Sequence, residues 1–317
     1  MLKPWFLKIH GWLAFLCSIP LIILCVTGLI LGIEPIVQYS SIEPGTVTVE
    51  EVTGYLKKYD PEGKATALIH RPYENSLTIG GVGSEGEIEV DLVTRQESVG
   101  DGGWYWSEVF SYNRRLHEHV SVTLWEGARQ IDLTIGATIA MCVIIVLGIL
   151  LGLPRIRNTV AGWHKAISWF LLPALIISPL TGLFIAWGVS MNVAPAPDPG
   201  RGKPLPMIEA VQVVGKEADL SRMIWLRVRG GRQLVRLWDG QEARAFAVTK
   251  EGLKPVPRNI SRLIHEGNFL GIWSGLFKVI TGLAFLGLIG TGLYLFLTKQ
   301  VRKYRNKRAR ALEAASA

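Results

Sequence analysis

The sequence predicts an α-helical membrane protein with four transmembrane helices from an internal duplication and two small α+β modules between them. Three observations support this prediction: four long apolar stretches, a sequence motif (called here the repeated phrase) that occurs twice, and two regions in which polar and apolar residues alternate. A helix needs roughly 20 apolar residues to cross the hydrocarbon core of a bilayer. The stretches reach that length and contain Lys278 as their one charged residue; they cover residues 12–33, 133–153, 166–189 and 276–297.

The basic residues beside these stretches predict which side of the membrane each segment occupies. Lysine and arginine mark residues 1–11, the loop 155–165 and the tail 299–317, which has seven in KQVRKYRNKRAR. With four spans these segments share one side, which the positive-inside rule makes the cytoplasmic side. We therefore expect both termini in the cytoplasm, and no nucleic-acid partner is needed to explain the net charge of +8.

The first apolar stretch is expected to stay as an anchor rather than be cleaved as a signal peptide. It is longer than a signal-peptide core, and the chain continues GIEPIVQYSS without a small-x-small cleavage site. The cysteines at positions 17, 25 and 142 fall within the spans without a CxxC spacing. We interpret them as apolar packing residues.

A repeated phrase divides the chain into two equivalent halves. RLHEHVSVTLWEG begins at position 115 and RLIHEGNFLGIWSG at position 262. Each has a histidine followed by a glutamate and later by a tryptophan: His117 and His265, Glu118 and Glu266, Trp125 and Trp273. Earlier in each half, His10 and His164 precede TGLILG and TGLFIA by the same spacing. Such repetition indicates a duplicated membrane unit, with halves related by an axis along the membrane normal.

The segments 34–113 and 190–260 are predicted to be small α+β modules outside the membrane. In the first, Thr48 is placed to cap an amphipathic helix, and SLTIGG and EIEVDLV alternate like a hairpin. In the second, PMIEAVQVVGKE is the helix candidate, and Gly-Gly and Asp-Gly separate three strand-like runs. GVGSEG at 81–86 matches a dinucleotide fingerprint, but a strand-like run follows it, so we interpret it as a hairpin loop.

The two exported segments have opposite charge. Residues 34–130 contain 16 acidic and 8 basic residues, whereas residues 190–278 contain 8 acidic and 14 basic ones. We interpret this difference as a charge attraction that helps the two modules pair; steering of a substrate is the weaker alternative.

Four of the six histidines occupy equivalent places in the two halves. His10 and His164 stand at the cytoplasmic ends of the first and third spans, and His117 and His265 precede the second and fourth on the exported side. A symmetric bundle places equivalent residues face to face, so we predict that His10 opposes His164 and His117 opposes His265. Two neutral imidazoles suit a b-type haem, which takes one axial nitrogen from each side. Two such haems would conduct electrons across the bilayer.

Several neighbours are candidates for secondary roles at the exported haem position. Charged groups there either pair with propionates or line a solvated face: Arg115, Arg262, Glu118 and Glu266. The tryptophans Trp125 and Trp273 either border the haem or belong to the interfacial aromatic belt. His119 lacks a counterpart and is an alternative ligand or a substrate-side residue, and His70 is interpreted as a surface residue. Zinc fits poorly, because each membrane face offers two histidines and no nearby cysteine.

The sequence resembles the PepSY-associated transmembrane helix family over nearly its whole length. The resemblance rests on WFLKIHGWLAF, LHEH with LWEG, LIHEGNFLGIWSG, and GWHKAISWF with PLTGL. It implies PepSY-like periplasmic modules at 34–113 and 190–260 and haem ligands at the four paired histidines. It also implies a multi-pass protein of the bacterial inner membrane. The rest of the chain divides into six segments. They are the cytoplasmic flank with the first span (1–33), the first His-Glu phrase with the second span (114–154), the cytoplasmic loop (155–165), the third span (166–189), the second His-Glu phrase with the fourth span (261–298) and the basic cytoplasmic tail (299–317).

The resemblance further implies a di-haem b electron-transfer protein that reduces ferric siderophores or ferric chelates in the periplasm. No catalytic side chain is required beyond the two haems. A flavin or nicotinamide domain is missing from the sequence, so a separate cytoplasmic protein or a quinol would donate the electrons. Membrane lipids are expected partners, and a homo-oligomer is compatible with the sequence. The alternative is a non-enzymatic scaffold or regulator whose PepSY modules bind a partner protein. A metal-ion transporter is weaker, because no charged residue lies mid-span.

Overall fold

The structure is a computed structural model that describes residues 3–84, 86–98, 105–122, 131–154, 157–193 and 204–316. Its helices, in chain order, are α1 (Lys3–Leu16), α2 (Ser18–Ser40), α3 (Val49–Tyr59), α4 (Trp106–Glu118), α5 (Thr134–Leu150), α6 (Val160–Phe170), α7 (Leu172–Ala186), α8 (Met207–Glu217), α9 (Ile260–His265) and α10 (Ile272–Ser316).

The strands, in the same order, are β1 (Ala67–Arg71), β2 (Ser76–Gly80), β3 (Glu87–Asp91), β4 (Gln96–Glu97), β5 (Ser121–Val122), β6 (Ile131–Asp132), β7 (Asn192–Val193), β8 (Met223–Arg229), β9 (Arg232–Trp238), β10 (Ala243–Thr249), β11 (Gly252–Pro255) and β12 (Arg258–Asn259). Strands β5 and β6 form one short antiparallel ladder, and β7 and β12 form another.

The chain divides into two compact units. The helical unit comprises Met1–Leu31, Tyr112–Val189 and Phe277–Ala317, and the sheet unit comprises Gly32–Ser111 and Ser190–Leu276. Within the described residues, α2 and α10 are long and apolar enough to cross a membrane. The pair α6 and α7 is a third candidate, and α5 is a shorter apolar helix of 17 residues. The protein is therefore a membrane-associated helical protein that also contains an antiparallel sheet.

Proline interrupts the apolar helix at the same place in both halves. The sequence predicts single helices at 12–33 and 166–189, but each is divided, between α1 and α2 and between α6 and α7. Pro20 and Pro173 have no N–H to donate to the carbonyl four residues earlier, so the preceding helix ends there. The axes of α6 and α7 differ by 65°.

Apolar contacts hold the helical unit together. Helix α5 packs against α1 and α7. One buried cluster joins Cys25 of α2 to Leu175 of α7 and Phe285 of α10, and the three cysteines are free thiols. Cys25 therefore packs as an apolar side chain, in agreement with its interpretation from the sequence.

The sheet unit contains one eight-stranded antiparallel sheet rather than two separate modules. Its strand order is β11-β10-β9-β8-β1-β2-β3-β4, so each module supplies four strands. The central pair is β1 with β8, in which Leu68 faces Leu226. β1 and β8 are the first strands of their modules, and the later strands of each module follow in chain order from the centre of the sheet to its edge. The duplication therefore extends to the sheet.

The three sequence-predicted hairpins of the sheet are confirmed. Strands β2 and β3 pair on either side of residues 81–86, where Gly81 N–H donates to the carbonyl of Gly86 at 2.7 Å. In the second module, Gly230 and Gly231 have φ of 60° and 72°, and Gly240 has φ of 100°. These left-handed conformations are favoured by glycine and match the tight turns that the sequence predicts.

Helices α3 and α8 cover one face of the sheet. Leu56 of α3 and Val211 of α8 are fully buried, in one cluster with Leu68, Leu226 and further strand residues. Helix α3 begins with the predicted cap: Thr48 accepts the N–H of Glu51, and the Glu51 carboxylate accepts the N–H of Thr48. A capping box of this kind satisfies two backbone donors at the helix start.

His70 is buried in the sheet unit, so its interpretation as a surface residue is wrong. Its side chain is 3% exposed, and its Nδ1 lies 3.1 Å from the carbonyl of Met223 on β8. The contact falls where a bulge between Met223 and Trp225 interrupts the regular pairing of β8 with β9. The imidazole N–H thus donates to a backbone carbonyl at the junction of the two modules.

Replacing Gly215 by alanine should destabilise the sheet unit. A Cβ at Gly215 of α8 would overlap the side chain of Val49 at the start of α3, and a β-branched side chain has little rotational freedom. We expect a loss of about 1–3 kcal/mol in the free energy of unfolding, measured as a lower thermal midpoint by circular dichroism. Gly54→Ala in α3 is the control, because no atom lies within 4 Å of its added Cβ. Equal midpoints for the two variants would contradict this packing.

His70 should make the stability of the sheet unit depend on pH. Burial lowers the pKa of His70 below its ordinary value of 6.5, and the hydrogen bond to Met223 opposes this effect only in part. The unfolded chain therefore binds the proton more readily, and stability present above about pH 6.5 should fall as the pH decreases. Melting at about pH 7.5 and 5 should show a smaller loss for His70→Gln than for wild type. The exposed His119→Gln variant should behave like wild type, and an unchanged pH dependence in His70→Gln would refute the prediction.

Candidate functional site

His10 of α1 is oriented by a backbone carbonyl of another helix. Its Nδ1 lies 3.0 Å from the carbonyl oxygen of Ile144 on α5. A carbonyl oxygen only accepts, so Nδ1 must carry the ring proton. In a neutral imidazole the lone pair then resides on Nε2, which is the form that coordinates a metal.

His164 of α6 has the same arrangement with a threonine as its partner. Its Nδ1 lies 2.8 Å from Oγ1 of Thr291 on α10. The Thr291 hydroxyl donates its single proton to the carbonyl of Gly287 at 2.7 Å. Oγ1 therefore accepts from His164, and the lone pair of this imidazole is again on Nε2.

His117, at the end of α4, repeats this geometry on α2. Its Nδ1 lies 2.9 Å from Oγ1 of Thr27, and the Thr27 hydroxyl donates to the carbonyl of Ile23 at 2.7 Å. When the Thr27 hydroxyl donates to Ile23, its oxygen accepts the Nδ1 proton of His117, as Thr291 accepts that of His164. Three histidines of the predicted set therefore share one tautomer, each held by an acceptor on a different helix.

A glycine lies against each of these three imidazoles. The Cε1 atoms of His10, His164 and His117 lie 3.7, 3.5 and 3.1 Å from the position that a Cβ would take at Gly148, Gly292 and Gly28. At Gly28 an added methyl group would press on the imidazole. Small residues beside the histidines let the rings and any flat group bound to them approach the helix backbone.

His10 and His164 belong to the same part of the helical unit. Next to His10, Gly11 packs against Phe296 of α10, the helix that also carries Thr291. Both histidines therefore lie near α10, and their ligation of one metal stays a prediction. His117 lies in the helical unit and His265 in the sheet unit, so their pairing stays a prediction.

The second copy of the repeated phrase forms α9 and its C-terminal cap in the sheet unit. The Asn259 side chain caps α9 and accepts the N–H of Arg262. Glu266 forms ion pairs with Arg262 and with Arg236 of β9, each at 3.3 Å. Trp273 of α10 is 75% exposed. Glu266 and Arg262 thus contact other charged side chains in this structure.

The remaining secondary candidates of the first phrase lie on an exposed part of α4. Arg115, Glu118 and His119 are exposed, and His119 Nδ1 lies 3.4 Å from a carboxylate oxygen of Asp132. An open pocket of about 400 Å³ is lined by Tyr112, Arg115, Leu116 and His119. His117 is less exposed and is oriented by Thr27, which favours it over His119 as a metal ligand. Trp125 lies outside the described residues.

The hydrogen-bond partners of the three histidines were not predicted from the sequence. Thr27 and Thr291 each begin a TGL triplet within an apolar stretch, but Thr181 and Thr281 begin the same triplet. The triplet alone therefore does not identify the partner of a histidine. The carbonyl of Ile144 has no sequence signal, since any residue supplies a carbonyl.

Comparison with known proteins agrees with the architecture described above. None of the curated proteins matches the chain. Residues 7–299, which include all four paired histidines, match the PepSY-associated TM region. Because this match extends over most of the 317 residues, the chain belongs to the family of the PepSY-associated TM region.

Proposed function

We propose that this protein is a transmembrane di-haem b electron-transfer protein that reduces ferric siderophores or other ferric chelates in the periplasm. In this proposal it has four spans in the bacterial inner membrane, cytoplasmic termini and two periplasmic PepSY-like modules. His10 and His164 hold one haem, and His117 and His265 hold the other.

The shared tautomer of His10, His117 and His164 carries the proposal. Metal-bound histidines almost always donate their second ring N–H to an oxygen acceptor, which fixes the ring and raises its basicity. Ile144, Thr291 and Thr27 provide these acceptors at 3.0, 2.8 and 2.9 Å. The adjacent glycines let each imidazole lie directly against a helix backbone. The donor set therefore fits axial ligation of haem.

Haem iron bound by two imidazoles would accept and release one electron at a time. The chain would bind the macrocycle in an apolar environment, orient both imidazoles and exclude water from the metal. Each electron delivered to a bound chelate would reduce one Fe(III) to Fe(II), with no proton transfer at the chelate. A quinol donor would supply two electrons and release two protons as it becomes a quinone, so each quinol would reduce two Fe(III). No acid–base side chain is needed for this outer-sphere step.

The duplication supports the assignment of His265. His117 and His265 head equivalent phrases, just as His10 and His164 head equivalent spans. If the first pair shares one metal, the same internal symmetry assigns the second pair to another. Membrane lipids surround the spans, and a homo-oligomer is compatible with this arrangement.

A reduced-minus-oxidised absorbance spectrum of the purified chain tests the proposed function. We expect the α-band of a b-type haem at close to two haems per chain. A colourless protein after expression with sufficient haem would contradict the proposal and favour a scaffold that binds a partner protein.

Replacing His10 or His164 should remove the same haem. His10→Ala and His164→Ala should each reduce the haem content by half, and the double variant should lose no more than either single one, because the two imidazoles share one iron. Haem per chain is measured from the absorbance of the extracted pigment. His119→Ala should keep the full content. Loss of both haems, or of neither, in the single variants would contradict the pairing.

Replacing Thr291 by valine should perturb one haem while leaving the fold intact. Valine removes the acceptor for His164 Nδ1, so the imidazole becomes a weaker donor and the haem affinity should fall about 10–100-fold. Haem that remains bound should have a higher reduction potential, measured by redox titration. Thr281→Val is the matched control, because Thr281 lies on the same helix and, among the residues that the structure describes, its hydroxyl bonds to the carbonyl of Phe277 rather than to a histidine. An equal effect of both substitutions would refute the role of Thr291.

A further inference from the structure

The face of the sheet opposite α3 and α8 carries a group of arginines in the second module. Alternation along β8 and β9 sends Leu226 and Val235 to the helix-covered face. Trp225, Arg227 and Arg236 then lie on the other face, where Trp225 and Arg236 are direct partners in the register. Arg229, two residues after Arg227, shares that face. These residues are half-buried, except Arg229, which is exposed.

Four guanidinium groups are concentrated there. Glu266 bridges Arg236 and Arg262 at 3.3 Å each, which places Arg262 beside the strand arginines. Burial lowers the pKa of Arg227 below its ordinary value, and the positive charges of its three neighbours lower it further; they are Arg229, Arg236 and Arg262. We call Arg227, Arg229, Arg236 and Arg262 the arginine cluster.

The cluster is only partly neutralised. Glu266 is the one carboxylate that forms ion pairs with it in the described part of the chain, and Arg227 and Arg229 have no ion pair there. The Nε atom of Arg227 is buried without a hydrogen-bond partner among the described residues. The first module differs, because Arg71 on the same face donates to Thr78 at 2.6 Å and pairs with Glu89. The ion pairs Arg71–Glu89 and Arg95–Glu51 lie within the first module, so they add nothing to the neutralisation of the arginine cluster.

An aromatic ring is part of the same surface. The Arg227 guanidinium lies 4.1 Å from the ring centroid of Trp225. Contact with the ring holds the guanidinium in one plane and leaves the N–H groups at its edge free of the ring. Two such N–H groups can donate in parallel to two oxygens of one anion. A half-buried face of this kind suits a small anion better than it suits the flat surface of a bilayer.

We propose that the arginine cluster, with Trp225 beside it, binds a multiply anionic ferric chelate. This assignment rests on the proposed function and specifies its substrate class. The cluster should bind ferric complexes whose paired ligand oxygens carry a net negative charge more tightly than it binds neutral complexes. The arginines hold the chelate by charge-assisted hydrogen bonds, which are stronger than those between neutral groups.

Equilibrium dialysis of the full-length chain in detergent tests this assignment. The probes are gallium(III) tris-catecholate, a trianion, and the neutral gallium(III) tris-acetohydroxamate, neither of which needs a redox step. Wild type should bind the trianion more tightly than the neutral complex. Arg227→Gln/Arg229→Gln should weaken trianion binding at least about ten-fold, and added salt should weaken it in wild type. Lys57→Gln/Lys250→Gln is the control, because it removes the same charge from exposed positions of the sheet unit.

Three results would overturn the arginine site. They are unchanged trianion binding in the arginine variant, an equal loss in the lysine control, or equal binding of the trianion and the neutral complex. Phosphatidylglycerol vesicles give a further comparison: if the arginine variant loses only vesicle binding, the cluster binds lipid. Because gallium is redox-inert, dialysis decides the anion site even if the absorbance spectrum contradicts the haem assignment.

Discussion

The hydrogen bond at Nδ1 is the interaction on which the proposed chemistry of this protein depends. An imidazole can offer Nε2 to a metal only when its proton is held at Nδ1. In His10 a helix carbonyl holds that proton, and in His117 and His164 a threonine does so because its own hydroxyl proton is already donated to a carbonyl. The apolar helices supply the backbone carbonyls that make each threonine an acceptor. Helix packing thus determines the tautomer, and the tautomer determines which chemistry is available.

The internal duplication organises both units but does not make their halves identical. Pro20 and Pro173 end the first helix of each half at corresponding places, and β1 and β8 pair as equivalent strands at the centre of the sheet. Backbone pairing and the shared apolar core under α3 and α8 join the two modules. The ion pair Arg71–Glu89 lies within the first module, and Arg236 of the second module pairs with Glu266, which follows that module in the chain. Within the described part of the chain, the excess of arginine in the second module therefore does not form ion pairs with the first module. It gives the second module a surface that is chemically different from that of the first.

Much of the local structure could be predicted from the sequence, because short-range rules determine it. Thr48 with Glu51 predicts the start of α3, and Gly-Gly and Asp-Gly predict the turns beside β9. The union of the modules in one sheet could not be predicted, since β1 is five residues long and its pairing with β8 joins residues far apart in the chain. His70 was misjudged for the same reason: its acceptor, Met223, lies 153 positions away. Likewise, Ile144 and Thr291 become partners of histidines only when helices from distant parts of the chain pack together.

The most direct test of this account is electron paramagnetic resonance of the oxidised, full-length protein. Iron bound by two imidazoles is low-spin, so the account predicts low-spin ferric signals from both haems, with no high-spin ferric signal. Loss of one low-spin signal in His164→Ala would assign that centre. A spectrum without low-spin ferric iron, from protein that has been supplied with haem, would contradict axial ligation by paired histidines.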